Sequence, residues 1–140
     1  MIVAADIMSE DVEVIGPDML ISQVAHLMLR GRVSGFPVVD QSAGMIGVIT
    51  LTDLFGMLGK AMEDQSGQDV LGGIPRLKNS KVGDVMTRKV ISIHPHTTLD
   101  QISLMVVSHG IHFFPVVEDD GRMVGIVSRH DILNAVFSYE

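Results

Sequence analysis

Two short patterns in this 140-residue chain set a hydroxyl three residues ahead of a carboxylate, Thr50-x-x-Asp53 and Ser128-x-x-Asp131. An ionised carboxylate presents two acceptor oxygens to a pair of neighbouring donors. A hydroxyl at a helix start sits where free backbone N–H groups favour anions. The same spacing ahead of an apolar helix is also a capping box, which satisfies orphan backbone donors. The two roles can coexist, the hydroxyl capping the helix while the carboxylate faces a ligand. What tips the reading toward binding is duplication in phase. Gly47-Val48-Ile49-Thr50-Leu51-Thr52-Asp53 returns as Gly125-Ile126-Val127-Ser128-Arg129-His130-Asp131, 78 residues later.

The offset runs backwards without a gap. Phe36-Pro37-Val38-Val39 falls on Phe114-Pro115-Val116-Val117, Pro17 on Pro95, and Asp6-Ile7-Met8 on Asp84-Val85-Met86. The chain is therefore two copies of one unit, and a period of this kind outranks local secondary-structure signals. It divides as residues 1–62, a linker 63–81, and 82–140. A repeat of about 50 residues is marginal as a single core, so the copies are expected to pack on each other as one module.

Each copy reads as β-α-β-β-α. Residues 12–15 and 90–93 are short and β-prone, and Pro17 and Pro95 end them. Ile21, Val24, Ala25 and Met28 share one helical face, with Gly31 as the stop. The second copy's helix starts at Leu99 with Thr97 as its cap, where Met19 stands in the first copy, whose helix is expected to be less firmly begun. Residues 36–39 and 45–49 form a hairpin across a five-residue connection, matched by 114–117 and 123–127. Pro37 lacks an N–H and belongs at the first position or an edge of its strand. Closing helices run through Leu54, Met57, Leu58 and Ala61, and from Arg129. The segment 63–81 loses periodicity and carries Gly67, Gly72, Gly73 and Pro75.

Composition narrows the function. The net charge of −7 argues against a general nucleic-acid binder. Arg76, Lys78, Lys81, Arg88 and Lys89 cluster, but they read as a solvated linker face rather than a binding patch. There is no cysteine, which removes disulfides, Cys-ligated zinc and thiol catalysis. No basic n-region with an apolar stretch opens the chain, and no run nears the roughly 18 apolar residues of a membrane span. A soluble, cytoplasmic protein is expected. His94-x-His96 and His109-x-x-His112 lack an Asp, Glu or Cys at ligand spacing, so a metal site is not expected. His130 and Asp131 are adjacent and point apart at a helix start, and no nucleophile-base-orienter set accompanies them. An enzyme is not expected.

Two β-α-β-β-α units, each with a hydrophobic-Pro-Val-Val strand and a closing Gly-h-h-Thr/Ser-x-x-Asp motif (h, hydrophobic), resemble a tandem pair of CBS domains, the Bateman module. The likeness runs from about Asp6 to Leu54 and from Asp84 to Leu133. It implies an α+β fold with two pseudo-symmetric repeats forming two clefts, often dimerised. It further implies an adenosine-type ligand: AMP, ADP, ATP, NAD or S-adenosylmethionine. By this resemblance Asp53 and Asp131 would accept from the ribose hydroxyls, and Thr50 and Ser128 would support ribose or phosphate. Gly35, Phe36 and Pro37, with Phe113, Phe114 and Pro115, match the positions lining the adenine pocket, where ordinary core is the competing reading. Val14 and Ser92 match first-strand positions bordering the cleft. His112, Arg129 and His130 add phosphate-facing groups to the second copy, where the first offers Ser34 and Leu51-Thr52. The cleft containing Asp131 is thus expected to hold a phosphorylated ligand more tightly.

The function implied is a regulatory sensor; no catalytic or DNA-binding domain is expected beside the repeats, so cleft occupancy is expected to pass to another polypeptide. The competing reading is a constitutive dimerisation or scaffold module without ligand. Ten methionines, Met28, Met57 and Met105 among them, suit adaptable helix interfaces as well as core filling.

Overall fold

The computed structural model describes residues 1–65, 77–111 and 113–138. Its elements in chain order are α1 (Ala4–Ile7), α2 (Ile21–Gly31), β1 (Gly35–Asp40), β2 (Gly44–Thr50), α3 (Leu51–Gln65), α4 (Val82–Val85), α5 (Leu99–His109), β3 (Phe113–Val117), β4 (Met123–Ser128) and α6 (Arg129–Phe137). The fold class is α+β. Gly67, Gly72, Gly73, Pro75 and Arg76, on which part of the linker and basic-cluster readings rest, lie outside the described residues, as does His112.

The chain divides into two compact units, a central one, Glu13–Lys89, and a terminal one, Met1–Val12 with Val90–Glu140. Each unit combines the hairpin and helices of one repeat with the short segment that opens the other repeat in sequence. Helices α1 and α4, which hydrophobic spacing did not foretell, belong to these lead-in segments. Ala4 and Val82 at their starts are fully buried and stand 78 residues apart.

The central core gathers Ile15, Val24, Phe36, Val38 and Ile49 with Val82. The terminal core gathers Ile93, Ile102, Phe114, Val116 and Val127 with Ala4. Each residue of the first set has its counterpart in the second at the same 78-residue interval. Burial thus follows the repeat, as expected where each copy encloses apolar side chains in the same way.

Each hairpin is a two-stranded antiparallel sheet, Phe36 opposite Ile49 and Phe114 opposite Val127. The first connection is shorter than the spacing suggests: Asp40 pairs with Gly44, leaving three residues between them. Gly44 supplies the positive φ of 79° that this turn requires.

The first strands shrink to single parallel bridges, Ile15 to Val38 and Ile93 to Val116. Pro37 explains this. It is the third residue of β1, not its first, and its carbonyl accepts from the Ile15 N–H at 3.1 Å, while Val39 donates back to Ile15 at 2.8 Å. The next bond of a parallel ladder would need an N–H on Pro37, which has none. Pro115 stops the Ile93 ladder in the same way.

Three helix ends also differ from expectation. The cap of α5 is Thr98, whose Oγ1 accepts from the Gln101 N–H at 3.1 Å while Gln101 accepts from the Thr98 N–H at 2.9 Å. The Thr97 hydroxyl is used one turn earlier, accepting from the His94 N–H. In α2 the matching cap is Leu20, and only half the box survives, Gln23 accepting from the Leu20 N–H. Gly31 is the last residue of α2 rather than its stop; Arg32 takes the left-handed cap at φ 52°.

Candidate functional site

In each unit the second hairpin strand runs directly into the closing helix, and the hydroxyl and carboxylate meet at that junction. Thr50 ends β2, and its N–H donates to Asp53 Oδ2 at 2.9 Å, its hydroxyl at 3.3 Å. The Asp53 N–H returns a bond to Thr50 Oγ1 at 3.4 Å. Ser128 and Asp131 repeat this at 2.9, 3.1 and 3.4 Å. The capping box is therefore formed in both copies, with an acid in the first turn where the helix dipole favours it.

The box occupies Oδ2 only. Asp53 Oδ1 accepts from the Thr87 hydroxyl at 2.7 Å, and Asp131 Oδ1 faces the Ser9 hydroxyl at 3.4 Å. Ser9 and Thr87 were not singled out from the sequence, although they too stand 78 residues apart. Carrying the offset one position beyond Met8 and Met86 to a hydroxyl in each copy would have found them.

Backbone pairing places these hydroxyls. Val48 and Thr87 exchange both N–H···O bonds, at 2.9 and 2.8 Å, and Ile126 and Ser9 do the same at 2.9 and 2.8 Å. Such close approach explains the repeated glycine ahead of each motif. A Cβ on Gly47 would lie 2.6 Å from the Thr87 carbonyl oxygen, and one on Gly125 would lie 3.0 Å from that of Ser9.

The remaining expected residues divide by exposure. Arg129 and His130 are exposed on the first turn of α6, and Val14 and Ser92 are exposed as well. Gly35, Phe36, Pro37, Phe113, Phe114 and Pro115 are all buried. Phe36 and Phe114 belong to the two cores, so their side chains serve packing. Asp131 borders a pocket of about 260 Å³, which it lines with Asp6, Ile7, Asn134, Ala135 and Ser138. Among the described residues no three His, Asp or Glu side chains converge as a metal site would require. His94 instead sets its Nδ1 3.1 Å from the Val117 carbonyl oxygen.

A model of the CBS domain matches residues 3–60 and 82–138. The chain belongs to the CBS-domain family. Its two CBS repeats are similar to the uncharacterized protein MJ1426 of Methanocaldococcus jannaschii, with 30% identity over 94% of this chain and 89% of that protein. Among solved structures, CBSX2 of Arabidopsis thaliana in complex with AMP superposes with a TM-score of 0.76 at 23% identity, over 99% of this chain and 98% of that one. The CBS pair of MJ0100, solved with 5′-methylthioadenosine and S-adenosylmethionine, gives 0.74 at 23%, over the same 99% and 98%. At that identity these two structures establish the fold alone. Other curated relatives are longer: the chain spans 59%, 45% and 23% of three of them, and the 23% match is to an inosine-5′-monophosphate dehydrogenase. Among the described residues no helix is long and apolar enough to cross a membrane.

Proposed function

We propose that this chain is a cytoplasmic regulatory module, not an enzyme, that binds an adenosine-type ligand through Asp131 and Asp53 and relays occupancy to a partner polypeptide. The observation that carries the reading is the pair of duplicated carboxylates. Each is fixed by its capping box through Oδ2 and turns Oδ1 toward a hydroxyl donor. A carboxylate held this way suits the vicinal hydroxyls of a ribose. Relatives of the same fold solved with AMP, or with 5′-methylthioadenosine and S-adenosylmethionine, support the ligand class. Arg129 and His130 beside Asp131 favour a phosphorylated ligand there, whereas Leu51 and Thr52 take their places beside Asp53.

The exposed apolar residues support self-association. Leu29, Phe55 and Leu58 on α2 and α3 are exposed, and so are Val107, Leu133 and Val136 at the matching positions of α5 and α6. A doubled apolar face suits a second copy of this chain, and the reading includes a homodimer. The same faces favour the competing reading, a dimerisation module without ligand.

Thermal unfolding against AMP, ADP, ATP, NAD and S-adenosylmethionine separates the two. A ligand at 100 times its Kd adds about 2.7 kcal/mol to the folded state, a shift of several degrees. A shift lost in Asp131→Ala supports the sensor. No shift with any of these compounds in folded protein favours the ligand-free dimer.

A further inference from the structure

The two carboxylates share a cap yet differ in what holds Oδ1. At Asp53 the Thr87 hydroxyl makes a 2.7 Å bond, the short charge-assisted kind. At Asp131 the Ser9 hydroxyl stands at 3.4 Å, beyond the usual O–H···O range. A carboxylate has about four acceptor sites. The cap uses the Oδ2 side in both copies. Asp131 keeps Oδ1 almost wholly available and borders an open pocket, whereas Asp53 has given up half of its Oδ1 to a donor from its own chain.

We propose that Thr87 is an internal competitor for Asp53: a ligand diol that takes both acceptor sites of Asp53 Oδ1 must displace the Thr87 hydroxyl, whereas at Asp131 the Ser9 hydroxyl offers no comparable opposition. This rests on the reading of both aspartates as ligand carboxylates. Thr87 is thus a positioning residue that sets the two copies to different affinities. Its place in the chain gives displacement a mechanical consequence. Thr87 follows α4 and precedes Val90, where the chain passes into the terminal unit. Releasing its side chain loosens a segment whose backbone is otherwise fastened to β2 through Val48. Occupancy of Asp53 is therefore coupled to the segment that carries Thr87; Ser9 likewise precedes a crossing of the chain between units, after Val12, but its 3.4 Å contact leaves little to release.

The test is calorimetric titration with AMP, isolating the Asp53 copy in an Asp131→Ala background and the Asp131 copy in an Asp53→Ala background. With the competing hydroxyl removed, Thr87→Val tightens AMP at Asp53 by about 3- to 10-fold, the span of one hydrogen bond's net contribution. Thr87→Ser, which keeps the hydroxyl, restores the wild-type affinity. Ser9→Ala changes AMP affinity at Asp131 by less than about twofold, as loss of so long a contact implies. Weaker AMP binding in Thr87→Val would make Thr87 a donor to the ligand and overturn the proposal, and so would an equal effect of Ser9→Ala. Amide hydrogen exchange without ligand tests the latch independently of the ligand reading. Thr87→Val speeds exchange at Thr87 and Val48, while Ser9→Ala leaves Ser9 and Ile126 unchanged. Unaltered exchange in Thr87→Val overturns the latch even where AMP binds. Absence of AMP binding in the wild type removes the ligand reading and the competition with it.

Discussion

Arg32 and Gly110 occupy the same place in the two repeats, each capping its helix in the left-handed conformation, at φ 52° and 66°. In both, the cap N–H reaches back to a carbonyl of the last turn, Met28 in one and Val106 in the other. Only glycine adopts this conformation without a Cβ penalty. The first repeat therefore carries strain that the second lacks. Arg32→Gly is expected to stabilise the protein by about 0.5–1 kcal/mol, and Gly110→Ala to destabilise it by about 1 kcal/mol. A Cβ at Gly110 meets nothing within 4 Å, so backbone conformation alone is at stake there. Urea unfolding of the two variants measures both, and a destabilised Arg32→Gly would mean that the arginine side chain contributes more than the strain costs.

Gly47 and Gly125 differ in what a methyl group would strike. At Gly47 the nearest atom is the Thr87 carbonyl oxygen at 2.6 Å, part of a backbone fixed by two hydrogen bonds. At Gly125 it is the Met8 Sδ at 2.7 Å, on a flexible side chain, with the Ser9 carbonyl oxygen further off at 3.0 Å. Gly47→Ala is expected to cost about 2–3 kcal/mol and Gly125→Ala about 1 kcal/mol, within the range for overpacking. Thermal melts of the two proteins provide the comparison, and equal losses would show that the Met8 side has no room to yield.

The same pairing shows how far the sequence could be read. Helix faces, hairpins and both hydroxyl-carboxylate motifs are legible because period, turn residues and a 78-residue repeat all act locally or in phase. Thr98 replaced Thr97 as the cap because two adjacent hydroxyls compete, and the turn from His94 took the first. Ile15 and Ile93 form bridges rather than strands because Pro37 and Pro115 silence the neighbouring strand, an effect between segments that strand propensity does not contain. The docking of Thr87 beside Asp53 joins residues 34 apart through a lead-in segment that carries no hydrophobic period of its own.

Asp40 gives a pH signature. Its carboxyl is held below its ordinary value of 3.8 because the Ser42 backbone N–H, and then the Ser42 hydroxyl, donate to it in the first hairpin turn. A depressed carboxyl pKa contributes stability that is complete above the unfolded value and is lost as pH falls through the folded one. Between about pH 5 and pH 3, stability is therefore expected to fall less steeply in Asp40→Asn than in the wild type, since this group no longer takes up a proton on unfolding. The group is exposed, so the difference is a change of slope and is best seen by urea unfolding at several pH values at constant ionic strength. Parallel acid limbs would mean that the turn bonds do not outlast solvent competition.

On the proposed reading of Asp131 as a ligand carboxylate, recognition of a phosphate falls to Arg129. Arg129 is exposed at the first position of α6, two residues before Asp131, where backbone N–H groups at the helix start also face outward. Its counterpart in the first repeat is Leu51, which is packed against the central core. A guanidinium presents a planar fork of donors that fits phosphate, and leucine has no donor to offer. Arg129→Ala in an Asp53→Ala background is therefore expected to weaken AMP by about tenfold, the scale of one charge-assisted hydrogen bond, while leaving adenosine within about twofold. Leu51→Arg in an Asp131→Ala background would in turn favour AMP over adenosine at Asp53, after allowance for the packing that Leu51 provides. Calorimetric titration with the two ligands separates the phosphate from the nucleoside. If Arg129→Ala weakened both equally, the arginine would act on Asp131 or on the helix start rather than on phosphate.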